Sequence, residues 1–249
     1  MRSTFVGRRA SGGRSGMRLF VTGTDTDIGK TVASCALLHA LRSRGVAAIG
    51  MKPIAAGADP QGLWDDVERL RAASPLEAPL EDVAPYRLRA PASPHFAARA
   101  DGIAIRREVV LAALARLERL AEVVVIEGVG GFRVPLTDDW DSADLAQAIG
   151  APVLLVVPMR LGCINHALLT AEAIAHRGLA LAGWIANSGI DPDYERVAQT
   201  VDTLERRIGE PCVGVLPRLA LGQCGMEQIN IDAILPCLTS IHTPLRRCS

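Results

Sequence analysis

Short apolar runs alternate with longer amphipathic segments along most of this chain. Six of the runs are rich in Val, Ile, Leu and Ala, as is typical of strands that are buried on both faces of a sheet. These runs are Arg18–Thr22, Ala47–Met51, Val123–Glu127, Val153–Val157, Leu181–Ala186 and Cys212–Leu216. Alternation of strands with helices is typical of βαβ crossovers. The pattern therefore predicts an α/β fold with a mostly parallel central sheet and helices on both faces.

Four of the intervening segments are predicted to be helical, three with apolar residues at helical spacing and the last, within Asp193–Ile208, as a polar helix. Helices are predicted over Thr31–Arg44 and Ile164–His176, and within Arg106–Ala121 and Asp193–Ile208. In the third of these segments the core candidates are Val109, Leu114, Leu117 and Leu120. Six prolines interrupt the segment Gly57–Pro94, so only one short helix is predicted there, near Asp65–Ala73.

Composition favours one globular domain with a small-molecule partner. The 249 residues are 49% hydrophobic, which is enough for a substantial core. The 27 basic and 27 acidic residues balance, so nothing favours a nucleic acid or an anionic membrane surface. No apolar run approaches the roughly 18 residues of a membrane span. We expect a single domain over residues 17–249.

The N-terminus and the cysteines bear on the cellular compartment. Residues 1–16 are rich in Arg, Ser and Gly and lack acids. We expect a flexible extension there, and an organelle transit peptide is the alternative. The six cysteines show no Cys-x-x-Cys spacing, which argues against a zinc site and a disulfide framework. Reduced thiols and a cytoplasmic location are therefore expected.

The segment from Gly23 to Thr31 has the features of a phosphate-binding loop. It follows a predicted strand and opens a predicted helix, so its backbone N–H groups can surround phosphate oxygens. Lys30 would carry positive charge to the β- and γ-phosphates, and the Thr31 hydroxyl would be a magnesium ligand. Five residues rather than the usual four lie between Gly23 and Gly29, which puts Thr24 at the expected glycine position. A chance Gly-Lys-Thr at a helix start is the alternative.

Two other predicted strands end in residues that could do chemistry. Lys52 follows the second strand, and Glu127 ends the third and precedes a glycine-rich turn. The carboxyl ends of parallel strands share one edge of the sheet, where ligands bind. Asp65 and Asp66 open the short predicted helix and could reach a metal ion at the same edge. The alternatives are a solvated lysine, a structural turn and an acidic helix start.

Together the motifs resemble the dethiobiotin synthetase family over about residues 17–238. They are Gly-Thr-Asp-Thr-Asp-Ile-Gly-Lys-Thr at 23–31, Lys-Pro-Ile-Ala-Ala-Gly at 52–57, Ser-Pro-His at 93–95, Glu-Gly-Val-Gly-Gly at 127–131, Leu-Gly-Cys-Ile-Asn-His-Ala at 161–167 and Gly-Trp-Ile-Ala-Asn at 183–187. The resemblance implies a three-layer P-loop fold. It also implies a ligase that uses ATP as co-substrate and Mg²⁺ as cofactor to carboxylate 7,8-diaminononanoate with CO2. A carbamate and a carbamic-phosphoric anhydride would precede ring closure to dethiobiotin.

The resemblance further implies roles for individual residues. Lys52 and Lys30 would be catalytic, and Thr31, Asp66 and Glu127 would hold magnesium. The nucleotide would be bound by Asp27, Ile28, Gly29, Lys30, Thr31, Val32, Asp66, Glu127, Gly128, Val129, Gly130, Asn187, Ser188, Pro217, Arg218 and Leu219. The diamine would be bound by Lys52, Ala56, Gly162, Cys163, Ile164 and Asn165. The last four would come from a second subunit, so a homodimer is expected, and Cys163 would be a packing or backbone-contact residue.

The sequence departs from the family at three places, and two other functions stay open. Ala56 stands where the family usually has a hydroxyl residue, Ser188 replaces a frequent acid, and no acid can be placed soon after Pro217. One rival is a partition or division-site ATPase, which usually carries an extra lysine near the loop start. This chain has Thr24-Asp25-Thr26 there. The other rival is an amide-forming ligase acting on a corrinoid precursor, but the chain has no room for an amidotransferase domain.

Overall fold

The structure is a computed structural model that describes residues 16–220 and 222–239. Its strands are β1 (Met17–Gly23), β2 (Ala48–Met51), β3 (Ile54–Ala56), β4 (Tyr86–Leu88), β5 (Val123–Glu127), β6 (Val153–Pro158), β7 (Leu181–Asn187) and β8 (Cys212–Leu216). Its helices are α1 (Lys30–Ser43), α2 (Asp65–Ala73), α3 (Leu80–Val83), α4 (Pro94–Asp101), α5 (Arg107–Leu117), α6 (Ser142–Ile149), α7 (Cys163–His176), α8 (Val197–Ile208) and α9 (Ile231–Thr239), with a 3-10 turn at Met226–Gln228. The expected extension, Gly16 excepted, and Cys248 lie outside the described residues.

Six strands form one parallel sheet in the order β2-β5-β1-β6-β7-β8. Successive residues of β1 point to opposite faces, as in any strand. Phe20 packs in a core with residues of α5 and α6, whereas Leu19 and Val21 pack in a second core with residues of α1 and α9. All six predicted strands are therefore confirmed, and so is the mostly parallel sheet with helices on both faces.

The five predicted helices are confirmed, and one set of core residues is corrected. The helix α2 has the predicted bounds, α1 and α7 begin one residue earlier than predicted, and α5 and α8 occupy part of their predicted segments. The helix α5 ends at Leu117, so the predicted core residue Leu120 is 51% exposed. Val109 is only partly buried, and Val110 and Ala113 fill the core in its place. The apolar face of α5 thus includes Val110 rather than the predicted Val109, and it ends about one turn before the predicted Leu120.

Several short elements were not predicted from the pattern. They are the two-stranded sheet β3–β4 and the helices α3, α4, α6 and α9. Strands of three residues are too short to show an alternating pattern, and α3 and α4 lie in or next to the proline-rich segment. None of the helices in the described ranges is both long and apolar enough to cross a membrane.

The edge strand β2 is covered in a way that fixes the backbone leading to Lys52. The Gly50 N–H donates to the Ser74 hydroxyl (2.9 Å), just after α2. The Lys52 N–H donates to the Val83 carbonyl (2.8 Å), at the end of α3. Two donors that an edge strand would otherwise leave open are thus paired. The segment after β2 consequently holds Lys52 at a defined place on the carboxyl edge.

Candidate active site

A cavity of about 840 Å³ lies at the carboxyl edge of the sheet. It runs past the loop before α1, the ends of β2 and β5, and the loops after β7 and β8. Fifteen residues that the sequence assigned to nucleotide, metal or substrate line it: Asp27, Gly29, Lys30, Thr31, Val32, Lys52, Ala56, Asp66, Glu127, Val129, Gly130, Asn187, Pro217, Arg218 and Leu219. The site predicted from three strand ends is therefore one continuous space.

Three predicted nucleotide residues lie behind the cavity wall. The side chain of Ile28 is 1% exposed and belongs to the core under α1. The Gly128 N–H donates to the Val21 carbonyl (2.8 Å), which joins β5 to β1. The Ser188 hydroxyl donates to the Leu216 carbonyl (3.1 Å), which joins β7 to β8. These residues shape the loops around the cavity, and a direct contact with nucleotide stays a prediction for each.

Gly162, Cys163, Ile164 and Asn165 lie at the start of α7 and do not line this cavity. Leu161, just before them, is 91% exposed, whereas the Cys163 side chain is 1% exposed. Cys163 is thus a packing residue, as expected. The resemblance implies that this segment serves the site of a second subunit, and that assignment stays a prediction.

The loop before α1 has a backbone suited to phosphate. Gly29 adopts φ 85°, and Asp27 at φ 56° is the one residue other than glycine with positive φ among residues 16–220 and 222–239. A Cβ on Gly29 would lie 2.1 Å from Asn187 Nδ2. Both this steric conflict and the positive φ therefore disfavour any side chain at position 29. The carbonyl of Gly29 accepts the hydrogen bond from Ala33, and α1 begins at Lys30. The N–H groups of the first turn are consequently free for a ligand.

Lys30 is held inside this loop. Its Nζ donates to the Asp25 carbonyl (2.7 Å), and the residue is 7% exposed. Burial, followed by repulsion from Lys52, lowers the pKa of Lys30 from 10.5 to about 8. An ammonium group that has lost much of its water gains strongly from an incoming phosphate. Lys30 is therefore placed to bind the anionic end of a nucleotide.

Asn187 ties the phosphate loop to the end of β7. Its Nδ2 donates to the Ile28 carbonyl (2.9 Å), and its Oδ1 accepts from the Gly189 N–H (3.1 Å). The amide keeps one further N–H and one further oxygen lone pair. This remaining pair matches the N7 acceptor and N6 donor of adenine. The side chain can thus position the loop and still face a base.

Lys52 bridges two carboxylates in the buried part of the site. Its Nζ lies 2.7 Å from Glu127 Oε1, 2.9 Å from Asp66 Oδ2 and 3.1 Å from the Gly128 carbonyl. Lys52 and Glu127 are 4% and 1% exposed. Burial by itself would lower the pKa of Lys52, but the charges of Glu127 and Asp66 outweigh it and raise that pKa. Lys52 is therefore a fixed cation at neutral pH.

The oxygen atoms around Glu127 suit a magnesium ion. Glu127 Oε2 is buried and has no hydrogen-bond partner, while Oε1 accepts from the Thr31 hydroxyl (2.9 Å). A buried carboxylate oxygen without a partner is costly, and a cation would satisfy it. Mg²⁺ prefers one or two carboxylates together with water and phosphate oxygens. Thr31, Asp66 and Glu127 fit that requirement.

Some cavity residues were missed at the level of the sequence. Arg69 lies one turn after Asp65 and Asp66 on the same helix, so helical spacing from the acidic pair could have found it. Ile190 and Gln223 also line the cavity, but they lie on irregular loops after β7 and β8. No periodic pattern marks residues of that kind.

Comparison with known proteins agrees with this geometry. The chain is 54% identical over 204 residues to "ATP-dependent dethiobiotin synthetase BioD" of Aromatoleum aromaticum, which covers 81% of this chain and 90% of the relative. The chain belongs to the dethiobiotin synthetase family. A second member, from Ralstonia nicotianae and with the same name, is 50% identical over 222 residues, covering 88% and 96% of the two chains. A family model described as an AAA domain matches residues 17–222.

Solved structures show that other ATPases share the fold of this dethiobiotin synthetase family member. A ParA family ATPase from Chlorobium tepidum matches with a TM-score of 0.53 and 12% identity, covering 88% of this chain and 99% of the other. The MinD cell division ATPase of Pyrococcus furiosus matches with a TM-score of 0.51 and 18% identity, covering 86% and 89%. At such identities the likeness concerns the fold alone. The rival ATPases thus share the architecture, and the curated relatives separate the chain from them.

Proposed function

We propose that this chain is an ATP-dependent dethiobiotin synthetase that closes the ureido ring of dethiobiotin from 7,8-diaminononanoate and CO2. One observation carries the proposal beyond the names of its relatives. The cation–carboxylate cluster of Lys52, Asp66 and Glu127 lies in the same cavity as the phosphate loop. A nucleotide's terminal phosphoryl group and a small acceptor can therefore meet there.

In the first step one amine of the diamine attacks CO2. A C–N bond forms as one π bond of CO2 opens, the nitrogen loses a proton to water, and an anionic carbamate results. Lys52 is a buried cation, and it lines the cavity together with Ala56. Its ammonium group would hold the carbamate by a charge-assisted hydrogen bond. Ala56 offers no hydroxyl, so the diamine loses one side-chain contact at this place.

In the second step a carbamate oxygen attacks the γ-phosphorus, and the bond to the ADP oxygen breaks. Both reactants are anions, and two unit charges about 4 Å apart repel by roughly 4 kcal/mol at an effective dielectric constant near 20. Lys30 and Lys52 both line the cavity, and their positive charges would offset this repulsion. Bound Mg²⁺, held by Thr31, Asp66 and Glu127, would neutralise charge on the phosphate oxygens.

In the third step the second amine attacks the carbon of the carbamic-phosphoric anhydride. The new C–N bond closes the ring, the nitrogen loses a proton to water, and the C–O bond to phosphate breaks and releases inorganic phosphate. Both reacting groups belong to one bound molecule, so positioning can contribute about 7–11 kcal/mol. The protein's part in this step is to hold the chain of the diamine in place.

The diamine's carboxylate requires a separate anchor, and we assign it to a second subunit. The helix α7 begins after Gly162 without a side-chain cap. The Cys163 N–H donates to the Arg160 carbonyl (3.1 Å), so the N–H groups of the next two residues are the ones open to a carboxylate. Leu161 is exposed beside them and could contact the aliphatic chain. The enzyme would thus act as a homodimer with Gly162–Asn165 completing the partner's cavity.

Incubation of the purified chain with 7,8-diaminononanoate, bicarbonate, ATP and magnesium tests the proposal. The product is identified by mass, and phosphate release is followed in parallel. We expect dethiobiotin in the complete mixture, and phosphate release that depends on the diamine. A Lys30→Ala variant serves as the matched blank. If phosphate is released at the same rate with and without the diamine and no dethiobiotin forms, the result would instead favour a switch ATPase.

A further inference from the structure

An ion pair that takes no part in the proposed chemistry connects the phosphate loop to the start of α7. One terminal nitrogen of Arg160 lies 3.1 Å from Asp25 Oδ2, across 135 residues of sequence. The two side chains are 38% and 51% exposed. A pair this exposed contributes little to stability. Its significance lies in the two segments that it joins.

At the phosphate loop, Asp25 is bound directly to the lysine that would meet ATP. The carbonyl of Asp25 accepts from Lys30 Nζ (2.7 Å), and its Oδ1 accepts from the Thr26 N–H (2.8 Å). Triphosphate oxygens that enter the loop compete with this carbonyl for the ammonium group. The bonds that hold Asp25 therefore depend on whether nucleotide is bound.

At the other end, Arg160 belongs to the turn between β6 and α7. Its carbonyl accepts from the N–H of Cys163 (3.1 Å), the first residue of α7. The preceding residue, Met159, donates its N–H to the Asn187 carbonyl (2.8 Å). Gly162 within the turn adopts φ 91°. The side chain of Arg160 thus reaches back to the phosphate loop while its backbone bounds the segment Leu161–Asn165.

We propose that Arg160 is a positioning residue. When nucleotide occupies the cavity of its own subunit, Arg160 acts through Asp25 to hold the segment Leu161–Asn165 in the position that binds the diamine in the partner's cavity. This inference rests on the proposed function and on the proposed dimer. Nucleotide in one cavity then strengthens binding of the diamine in the other. By linkage, the diamine strengthens nucleotide binding to the same extent.

The first experiment measures diamine affinity by calorimetry with and without a non-hydrolysable ATP analogue and magnesium. In the unaltered protein we expect the nucleotide to tighten diamine binding at least about fivefold, the lower end of usual couplings between sites. In Arg160→Gln and in Asp25→Asn the effect should fall below about twofold, while affinity without nucleotide is kept. The double variant should lose no more than either single one, and Arg160→Lys should recover part of the effect.

Arg99→Gln is the matched control, because Arg99 forms an exposed ion pair of the same length with Asp138 (3.1 Å). It should keep the full nucleotide effect. Thermal melting of each variant shows that the fold is retained. The inference is overturned if Arg160→Gln keeps the nucleotide effect, if Arg99→Gln loses it equally, or if Arg160→Gln weakens diamine binding to the same degree without nucleotide.

Mixed dimers test whether the effect crosses between subunits. One subunit carries Lys52→Ala, so the active cavity of the mixed dimer belongs to the other subunit. In that cavity the segment Leu161–Asn165 of the Lys52→Ala chain contacts the diamine. Arg160→Gln placed on the Lys52→Ala chain should raise the KM for the diamine by the share of the nucleotide effect that is lost, at least about 2.5-fold for a fivefold effect that falls to twofold, with little change in kcat. The same substitution on the active chain should leave that KM unchanged. Equal effects from both placements would contradict the inference.

The outcomes also separate this inference from the proposed function. An unaltered protein that forms no dethiobiotin and binds no diamine overturns both. An unaltered protein that forms dethiobiotin, together with an Arg160→Gln variant that keeps the nucleotide effect, overturns the role of Arg160 alone.

Discussion

At the scale of single residues, replacing Lys52 is expected to affect the rate of the reaction much more than the binding of ATP. It contacts both carboxylates of the buried cluster. In the proposed mechanism its charge serves the acceptor rather than the adenosine end of the nucleotide. We expect Lys52→Ala to lower kcat by about 10²–10³-fold, as for the loss of one donor to developing charge. The Kd for ATP should change much less. Lys52→Gln, which keeps hydrogen bonding without charge, should recover little, and equal losses in kcat and ATP binding would contradict this role.

The lowered pKa of Lys30 leads us to expect proton uptake when nucleotide binds. Its pKa in the free protein is about 8, lowered chiefly by burial, so part of it is neutral at pH 8.5. Phosphate favours the charged form and raises this pKa, so ATP binding should take up protons and weaken as the pH rises through about 8. Calorimetry at pH 8.5 in buffers of different ionisation enthalpy measures the uptake. Binding enthalpies that do not depend on the buffer would refute it.

At the scale of elements, two buried serines with different partners give a matched pair. Ser34 in α1 has no partner for its buried hydroxyl, whereas Ser142 at the start of α6 donates to the Phe132 carbonyl (2.6 Å) and accepts from the Val134 N–H (2.9 Å). Ser34→Ala should leave the free energy of unfolding unchanged or raise it by up to about 1 kcal/mol. Ser142→Ala should lower it by about 1–3 kcal/mol. Urea denaturation of both variants decides, and equal destabilisation would contradict the contrast.

Glycines at the two ends of α1 make a second pair. Gly29 and Gly45 both have positive φ, but a Cβ on Gly29 would meet Asn187 Nδ2 at 2.1 Å, whereas one on Gly45 would meet nothing within 4 Å. Gly29→Ala should abolish ATP binding. Gly45→Ala should cost only the backbone strain of about 1–2 kcal/mol and keep ATP binding. Titration with a fluorescent ATP analogue distinguishes the two, and normal binding by Gly29→Ala would show that Asn187 does not constrain the loop.

At the scale of the whole molecule, the sequence predicted the parts that repeat a pattern. Strands buried on both faces are continuously apolar, and their carboxyl ends share one edge, which is why Lys52 and Glu127 could be placed near the phosphate loop. The strands of three residues have no such pattern. The helix α6 carries a capping box between Asp141 and Asp144, a local signal that the apolar pattern alone did not use.

The rest of the site depends on contacts between segments distant in sequence. Asn187 entered the predicted site through the family resemblance, and its bond to the Ile28 carbonyl appears only once β7 lies beside the phosphate loop. Ile190 and Gln223 come from loops without any periodic signal. The pairing of Asp25 with Arg160 likewise requires the two turns to be neighbours in space. Sequence patterns describe elements, whereas these contacts arise from the way elements pack.

The most direct measurement follows oxygen from carbon dioxide into phosphate. If a carbamate oxygen attacks the γ-phosphorus in the shared cavity, that oxygen leaves with the phosphate when the ring closes. Turnover with ¹⁸O-labelled CO2, kept short to limit exchange with water, should give inorganic phosphate with one labelled oxygen for each dethiobiotin formed. Unlabelled phosphate accompanying labelled dethiobiotin would contradict a direct transfer between the two anions.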